Sequence, residues 1–395
     1  MMLSKKSIFV FDSEIHKDYE LSKNERISLV SNKNDFKDFF KVPWNIYKDD
    51  KYWVPPFWKD TSNYFRRKNP FWSHSDVKIF VAYKNNIPVG RIAAIIDHNL
   101  PKENGKKVGY FGFFECINDT QIAFNLLKIA EQTLASHDIN IMRGPINGRI
   151  DQYSGFLMKG FDSIPYLLGT YSPRYYLDLV SKYGLKKSKD LISYHIDITK
   201  PIPWKVEELT KNCEKAGIKI RPFNRLNFNR DLQIWFDLML DVFSDHYGYT
   251  PSSYEELKWT FGIRQLRYVI NPKLFLFAEC EGKTIGFRWS LPDFNPIFKK
   301  INSKFGLIGL LKFLWHSRNI QRGRFIVMGI KKEYRSRNIG TCFNYYTILE
   351  MKRKGYVSAE YGWIDEDNIA SHRSGEKIGG VPYKKYRVYE KDIKP

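Results

Sequence analysis

Two stretches of this chain follow one plan. Val77 to Tyr83 and Ile87 to Asp97 are apolar strand-like runs joined by Asn85-Asn86, with Gly90-Arg91-Ile92 inside the second run. Leu274 to Pro292 repeats the arrangement: a run ending at Cys280, the turn Glu281-Gly282-Lys283, then Ile285-Gly286-Phe287 opening the next run. Short apolar runs closed by such turns read as β-hairpins. One hairpin met twice points to two tandem domains, each a mixed twisted sheet flanked by helices, an α/β (α+β) architecture. At 395 residues the chain is long enough for both.

The second copy leads to the stretch that carries chemistry. Phe325 to Ile330 is a short apolar run suited to a buried strand. A basic turn follows, Lys331 to Arg337, and then a segment with apolar residues at helical spacing, Ile339, Cys342, Tyr346 and Leu349. Gly355 fits a helix stop, and Lys352, Arg353 and Lys354 lie in the last turn, where the helix dipole favours cations. A strand, a basic turn and a helix N-terminus together make an anion cradle of outward-pointing backbone N–H groups. A plain strand-to-helix connection has the same outline.

The turn resembles the acyl-CoA-binding loop of the GNAT acyltransferase superfamily, which runs Arg or Gln, two residues, Gly, one residue, Gly or Ala. The same register here gives Arg335-Ser336-Arg337-Asn338-Ile339-Gly340. Asn338 stands where the middle Gly is usual, and Asn tolerates left-handed backbone angles better than most residues. Downstream, Val357 to Ile364 is strand-like, Asp365 to Asn368 leads into a helix, and Asn368, Lys377 and Gly379 match the superfamily's spacing. Gly375 falls where many members carry a Tyr that acts as general acid. The resemblance implies that Ile330, Arg335, Arg337, Asn338, Ile339, Gly340, Thr341 and Asn368 hold acyl-CoA, coenzyme A or the acyl-phosphopantetheine of a carrier protein as co-substrate, with no metal.

The expected division is an N-terminal extension (1–26), a degenerate GNAT-like domain (27–197), a linker helix (198–217) and a GNAT domain with the acyl-CoA loop (218–395). The first domain is called degenerate because Ile117 to Thr120, between its strand Tyr110–Cys116 and its helix Asp119–His137, lacks the Arg-x-x-Gly loop. As a whole the chain resembles a tandem-domain family of bacterial proteins, the YghO group. That likeness rests on Trp53-Val54-Pro55-Pro56, Asn69-Pro70-Phe71, Gly90-Arg91-Ile92-Ala93, Phe111 to Glu115 and Gly144-Pro145.

Acceptor-side candidates lie in two places. Gly144 to Pro173 is long and Gly-rich, and long structured loops tend to be functional. Within it Asn147, Asp151 and Tyr153 are the substrate-binding candidates; a structural crossover is the alternative. A helix over Leu232 to Phe243 runs into Asp245-His246-Tyr247, where the superfamily covers its acceptor site, so Tyr247 joins the substrate candidates. His246, Asp365 and Glu366 are the candidate bases that would take a proton from an amine. Glu115 lies in a strand that matches the superfamily's base-bearing strand, though in the domain without the loop.

Lys and Arg number 64 against 43 Asp and Glu, a net charge of +21. That field suits an acidic partner: a phosphorylated cofactor, an acidic acyl-carrier protein, an anionic membrane or nucleic acid. No helix-turn-helix, zinc knuckle or aromatic RNA platform accompanies it, which makes nucleic acid the weaker reading. Residues 301–324 carry an apolar core, Phe305 to Trp315, flanked by Lys304, Arg318, Arg322 and Arg324. Such a segment lies at an anionic interface or against a fatty chain, or packs as a core helix. The four Cys show no metal-ligand spacing and read as buried residues of a reducing compartment. With no export signal and no run of ~20 apolar residues, the expected place is the cytoplasm, with peripheral membrane contact. The functional expectation is an N-acyltransferase (N-acetyltransferase-like) moving an acyl group, including a long-chain one, to an amine such as a lipid amine. The alternatives are an inactive GNAT-like binding protein and a basic nucleic-acid-binding protein.

Overall fold

The computed structural model describes residues 8–11, 17–244, 246–260, 270–304 and 306–394. Asp245 and Phe305, and part of the polar segment 12–25, fall outside them. The chain divides into two compact units. The first comprises Met1–Asp190, Phe298–Phe305 and Tyr386–Pro395; the second comprises Leu191–Ile297 and Gly306–Lys385.

The first unit is a mixed sheet. β1 (Asp18–Ser22), β2 (Glu25–Leu29), β3 (Ser75–Lys84), β4 (Ile87–Asp97) and β5 (Val108–Cys116) pair antiparallel in that order, and β6 (Ile141–Gly144) pairs parallel with β5. Residues 389–392 of β14 (Val381–Asp392) close it antiparallel to β6. The segment before Arg26, expected as an N-terminal extension, forms strand β1 where it is described: Tyr19 and Leu21 alternate onto the core. On one face α3 (Thr120–Ala135) and α4 (Tyr176–Lys182) cover Ile92, Ala94 and Ile96. On the other face lies α1 (Lys33–Ile46), which continues through Pro43, a residue that ordinarily kinks or breaks a helix. Proline cannot donate to the carbonyl four residues back. The carbonyl so released, on Phe39, instead accepts from Arg91 of β4 at 3.1 Å. A short α2 (Trp58–Tyr64) follows, and the prolines and aromatics around it make a packed loop.

In the second unit β9 (Lys219–Pro222), β10 (Phe275–Cys280), β11 (Lys283–Pro292) and β12 (Arg322–Ile330) pair antiparallel, β13 (Ser358–Asp365) is parallel to β12, and residues 191–197 of β8 (Lys186–Asp197) pair antiparallel to β13. On one face α6 (Phe228–Phe243) buries Trp235 against Phe275, Phe287 and Trp289; α7 (Tyr254–Thr260) follows it. Between β11 and β12 come α8 (Asn295–Lys300), within which the division between the units falls, and α9 (Leu307–Ser317). The other face carries α10 (Ile339–Arg353) and α11 (Ile369–Lys377). The segment expected as a linker holds α5 (Trp204–Lys215), which packs on α10 inside this unit. Tyr346 of α10 donates to Glu214, and Lys352 donates to the carbonyls of Thr199 and Lys200.

The order strand, helix, parallel strand thus occurs in both units, as β5–α3–β6 and β12–α10–β13. In the first unit the seam between the parallel strands is closed by the chain itself. Phe111 accepts from Ile146 N–H at 2.9 Å and Phe113 N–H donates to the Asn147 side chain at 2.7 Å. Gly112 allows this close approach, since a Cβ there would stand 2.3 Å from the Ile146 carbonyl oxygen. Gly112→Ala is therefore expected to cost about 2–3 kcal/mol of stability. Urea unfolding of the intact chain checks it; an unchanged midpoint for the first transition would count against the packed seam.

Candidate active site

β12 and β13 exchange backbone bonds over Arg322↔Ser358, Gly323↔Ala359, Arg324↔Glu360 and Phe325↔Tyr361, and no further. Yet β12 continues to Ile330, held by β11 on its other side, and β13 reaches Asp365, held by β8. Beyond Phe325 and Tyr361 the parallel strands part, and among the described residues no backbone group fills the gap on the β12 side. The result is a wedge with its apex at those two aromatics and its mouth at the basic turn.

The mouth is built by the loop read from sequence. Asn338 takes the left-handed conformation, φ 59° and ψ 14°, and gives no side-chain cap to α10. The first N–H groups of α10 therefore keep no capping side chain. Ile339 and Thr341 turn their side chains into the protein, and Thr341 N–H already donates to Asn338 O at 2.9 Å, so the turn offers a ligand the backbone of Ile339 and Gly340. Gly340 faces inward as well: a Cβ would meet the Met328 methyl at 3.2 Å and Ser374 Oγ at 3.7 Å. Arg335 ties the turn down, donating to Ile330 O at 3.2 Å and to Val242 O, at the end of α6, at 3.4 Å. Arg337 is exposed, its guanidinium 5.0 Å from the Tyr334 ring. Asn368 caps α11, its side chain accepting from Ser371 N–H at 3.1 Å.

Around the apex stand groups that sequence reasoning missed. On the α10 face, Arg288 of β11 is buried, with its guanidinium 4.5 Å from the Phe325 ring and 4.7 Å from the Tyr361 ring. Its Nε and Nη2 have no hydrogen-bond partner among the described residues. Burial pushes its pKa down, only partly offset by Tyr361. On the same face Gly375 is buried, and a Cβ there would meet Tyr361 Cδ1 at 3.2 Å. The place at which the resemblance expects a Tyr side chain is thus bordered by Tyr361 from β13. On the opposite face, Glu360 is fully buried, 3.2 Å from Arg324, and accepts from the Tyr383 hydroxyl. His195 of β8 is Glu360's direct cross-strand partner. Burial lowers the His195 pKa, with Asp197 opposing and Arg322 reinforcing the shift, so the ring is neutral near pH 7. Polar residues at alternate positions of apolar strands, Arg322 and Arg324 or Glu360 alone, were the available sequence signal.

The other candidates fall as follows. Asp365 ends β13; its side chain accepts from Asp367 N–H at 2.9 Å and its carbonyl contacts His372 Nε2 at 3.0 Å. Glu366 follows it, half-buried. His372 also meets the Tyr194 hydroxyl through Nδ1 at 2.8 Å, so both ring nitrogens are engaged. His246 and Tyr247 lie in the turn after α6, with the His246 ring 4.7 Å from Phe243. Asn147, Asp151 and Tyr153 belong to the first unit. There Asn147 laces the seam, Asp151 is 3.4 Å from Arg149, and Tyr153 is exposed at φ 39°. Glu115 is half-buried in that unit; desolvation raises its pKa, while the Tyr47 and Tyr176 hydroxyls donate to it and Arg91 lies at 3.8 Å.

No family model matches the chain. It is 29% identical over 382 residues to a protein of Caulobacter vibrioides named bacterial ceramide synthase, covering 94% of this chain and 99% of that one. It is 30% identical over 368 residues to protein YghO of Escherichia coli, covering 92% and 94%. Among solved structures, a tandem GNAT protein from the clavulanic acid biosynthesis pathway superposes with a TM-score of 0.55 at 11% identity, covering 94% of this chain and 99% of that one. At that identity the likeness shows the fold.

A buried cation with no carboxylate partner carries a desolvation cost that aromatic faces offset only in part and that a neutral side chain of similar length avoids. Arg288→Met is therefore expected to raise unfolding stability, by about 1 kcal/mol or more. Denaturant unfolding with no ligand checks this; a destabilised variant would show that the guanidinium is already satisfied within the fold.

Proposed function

The chain belongs to the family of Escherichia coli protein YghO, and from that premise we propose that its second unit is an acyltransferase that moves an acyl group from a thioester of coenzyme A to an amine. The observation that carries the reading is the parting of β12 and β13 at Phe325 and Tyr361 beside an uncapped, basic helix start. Strand edges released in this way pair with an extended ligand that has amides of its own, as a peptide adds to a sheet edge. Phosphopantetheine is such a ligand. Its amides would run along Ile326 to Ile330, and its phosphates would meet the first N–H groups of α10, with Arg337 adding charge. A carrier protein's phosphopantetheine fits the same wedge, and the +21 charge suits an acidic carrier.

The donor's sulfur would then come near the apex. In the transfer, the amine nitrogen forms a bond to the acyl carbon, the carbon–sulfur bond breaks, the amine loses a proton and the thiolate gains one. The thioester is already activated, so placing the two reactants does much of the work. His195, neutral and opposite Glu360, is the base favoured by its surroundings. Asp365, Glu366 and His246 are the competing bases. Tyr361, beside Gly375, would protonate the thiolate, and Arg288, two of whose nitrogens lack a partner among the described residues, stands against the same aromatics that mark the apex. In the first unit the equivalent seam is laced by Asn147 and Ile146, which supports a non-catalytic role for it.

For the acceptor, the name of the Caulobacter relative is suggestive. A ceramide is an amide of a long-chain amino alcohol, so a ceramide synthase joins an acyl group to such an amine. A long-chain amine acceptor and a long-chain acyl donor are the finer proposal for this chain.

Thiol release from acyl-CoAs of increasing chain length, with and without long-chain amino alcohols, tests the reading. Release is expected to depend on the amine. Because the neutral imidazole is the reactive form, kcat/KM should show an acid limb at a value below the ordinary 6.5 of a histidine, separate from the rise that deprotonation of the amine itself gives at higher pH. His195→Gln should cut the rate about 100-fold or more and abolish that acid limb. An unchanged limb in His195→Gln that disappears in Asp365→Asn, Glu366→Gln or His246→Ala would move the base to that residue. Coenzyme A binding with no thiol released by any amine would make this a binding protein and overturn the proposal.

A further inference from the structure

Helix α9 presents its apolar side outward. At about 100° per residue, Leu310, Leu314, Leu307, Leu311, Trp315 and Ile308 share one arc of about 160°. All six are exposed, Leu307 by 77%, Ile308 by 71% and Trp315 by 68%, and no residue of the helix is buried. The inward side is held by Phe313, whose ring lies 5.5 Å from that of Phe294. The sequence alternative of a core helix is thereby excluded. An ordinary surface helix has the reverse arrangement, with its apolar stripe turned to the core. A contiguous patch of large aliphatic and aromatic side chains on water marks a contact surface.

Charge says what it contacts. Lys312 lies beside the apolar arc and Arg318 just past the helix end, both exposed. In the chain, Lys299, Lys300 and Lys304 precede the helix and Arg322 follows it, and no Asp or Glu occurs between Asp293 and Glu333. Leucines and a tryptophan on one side, lysine at its border and no acid in the flanking run of sequence are what an anionic lipid interface requires. At 11 residues the helix is about 16 Å long, roughly half the ~30 Å hydrocarbon thickness, so it suits lying in the interface and not crossing it. Among the described residues no helix is long and apolar enough to cross a membrane.

We infer that α9 is a membrane-docking helix, which inserts Leu307, Leu311, Leu314 and Trp315 into an anionic lipid surface with Lys312 and Arg318 at the headgroups. The inference stands apart from acyl transfer, because it concerns lipid binding with no thioester or amine present. A docked surface would also deliver an amine that resides in the bilayer.

Flotation of the full chain with phosphatidylcholine vesicles, with and without phosphatidylglycerol, tests it. The protein is expected to float with the anionic vesicles, less so at high salt, and hardly with the neutral ones. The double variant Leu311→Glu, Trp315→Glu should lose at least about tenfold in vesicle partitioning while keeping its unfolding midpoint, since both side chains are exposed. A second readout uses Leu314→Cys labelled with an environment-sensitive dye, because all four native cysteines are buried. Its emission should shift to the blue when anionic vesicles are added. Failure of the native protein to float, or equal flotation of the double variant, would overturn the inference. A blue-shifted dye without vesicles, together with a doubled mass in solution, would assign the face to a second copy of the chain and overturn it equally.

Discussion

Strands β12 and β13 exchange backbone hydrogen bonds through Phe325 and Tyr361 and then part, and that parting organises the second unit. Backbone N–H and C=O groups are obligatory partners, so a strand edge left open needs water or a ligand. Neither strand is free to swing back and close the gap. β11 grips β12 as far as Ile330, and β8 grips β13 as far as Asp365. The wedge is thus held open by the rest of the sheet before any ligand arrives, which keeps the ordering cost of binding low. The first unit has the same parallel pair and resolves it differently, by folding Gly144 to Asn147 back over β5.

Charge is placed around the apex at some cost. Arg324 and Glu360 are ion-paired inside the sheet, and the Tyr383 hydroxyl donates to the other carboxylate oxygen. Arg288 has aromatic faces in place of a carboxylate. Cation–π contacts return part of the desolvation penalty, about 0.5–2 kcal/mol, and leave donors that a carbonyl or an anion would satisfy. A fold under selection for stability alone has no reason to keep such a group, whereas a site that must stabilise developing negative charge does. The two faces are distinct: Arg288 and Tyr361 stand on the α10 side, Glu360 and His195 on the other.

Much of this was legible in the sequence. Both hairpins, the helices between Thr120 and Ala135 and between Ile339 and Arg353, and the strands flanking the basic turn follow from apolar periodicity and turn residues. Asn338 is where local chemistry served best, since its left-handed backbone is the reason a Gly is usual there. What failed to show were facts of pairing. Nothing in Asp18 to Ser22 announces a strand until Glu25 to Leu29 is laid beside it. Helix α1 survives Pro43 because Arg91, far away in the chain, takes over the Phe39 carbonyl. Arg288 and His195 read as ordinary polar positions of half-exposed strands; only the register shows them beside the apex. The candidates His246 and Asn147 were drawn from loops for their side-chain chemistry, and the structure gives Asn147 a backbone to hold.

The most direct measurement is backbone hydrogen exchange of the whole protein with and without coenzyme A. The expected result is slower exchange at Ile326 to Ile330 and at Ile339 and Gly340, with the first unit's Phe111 to Phe113 unchanged. No protection along β12, or protection appearing in the first unit instead, would contradict the assignment of the open wedge as the thioester site.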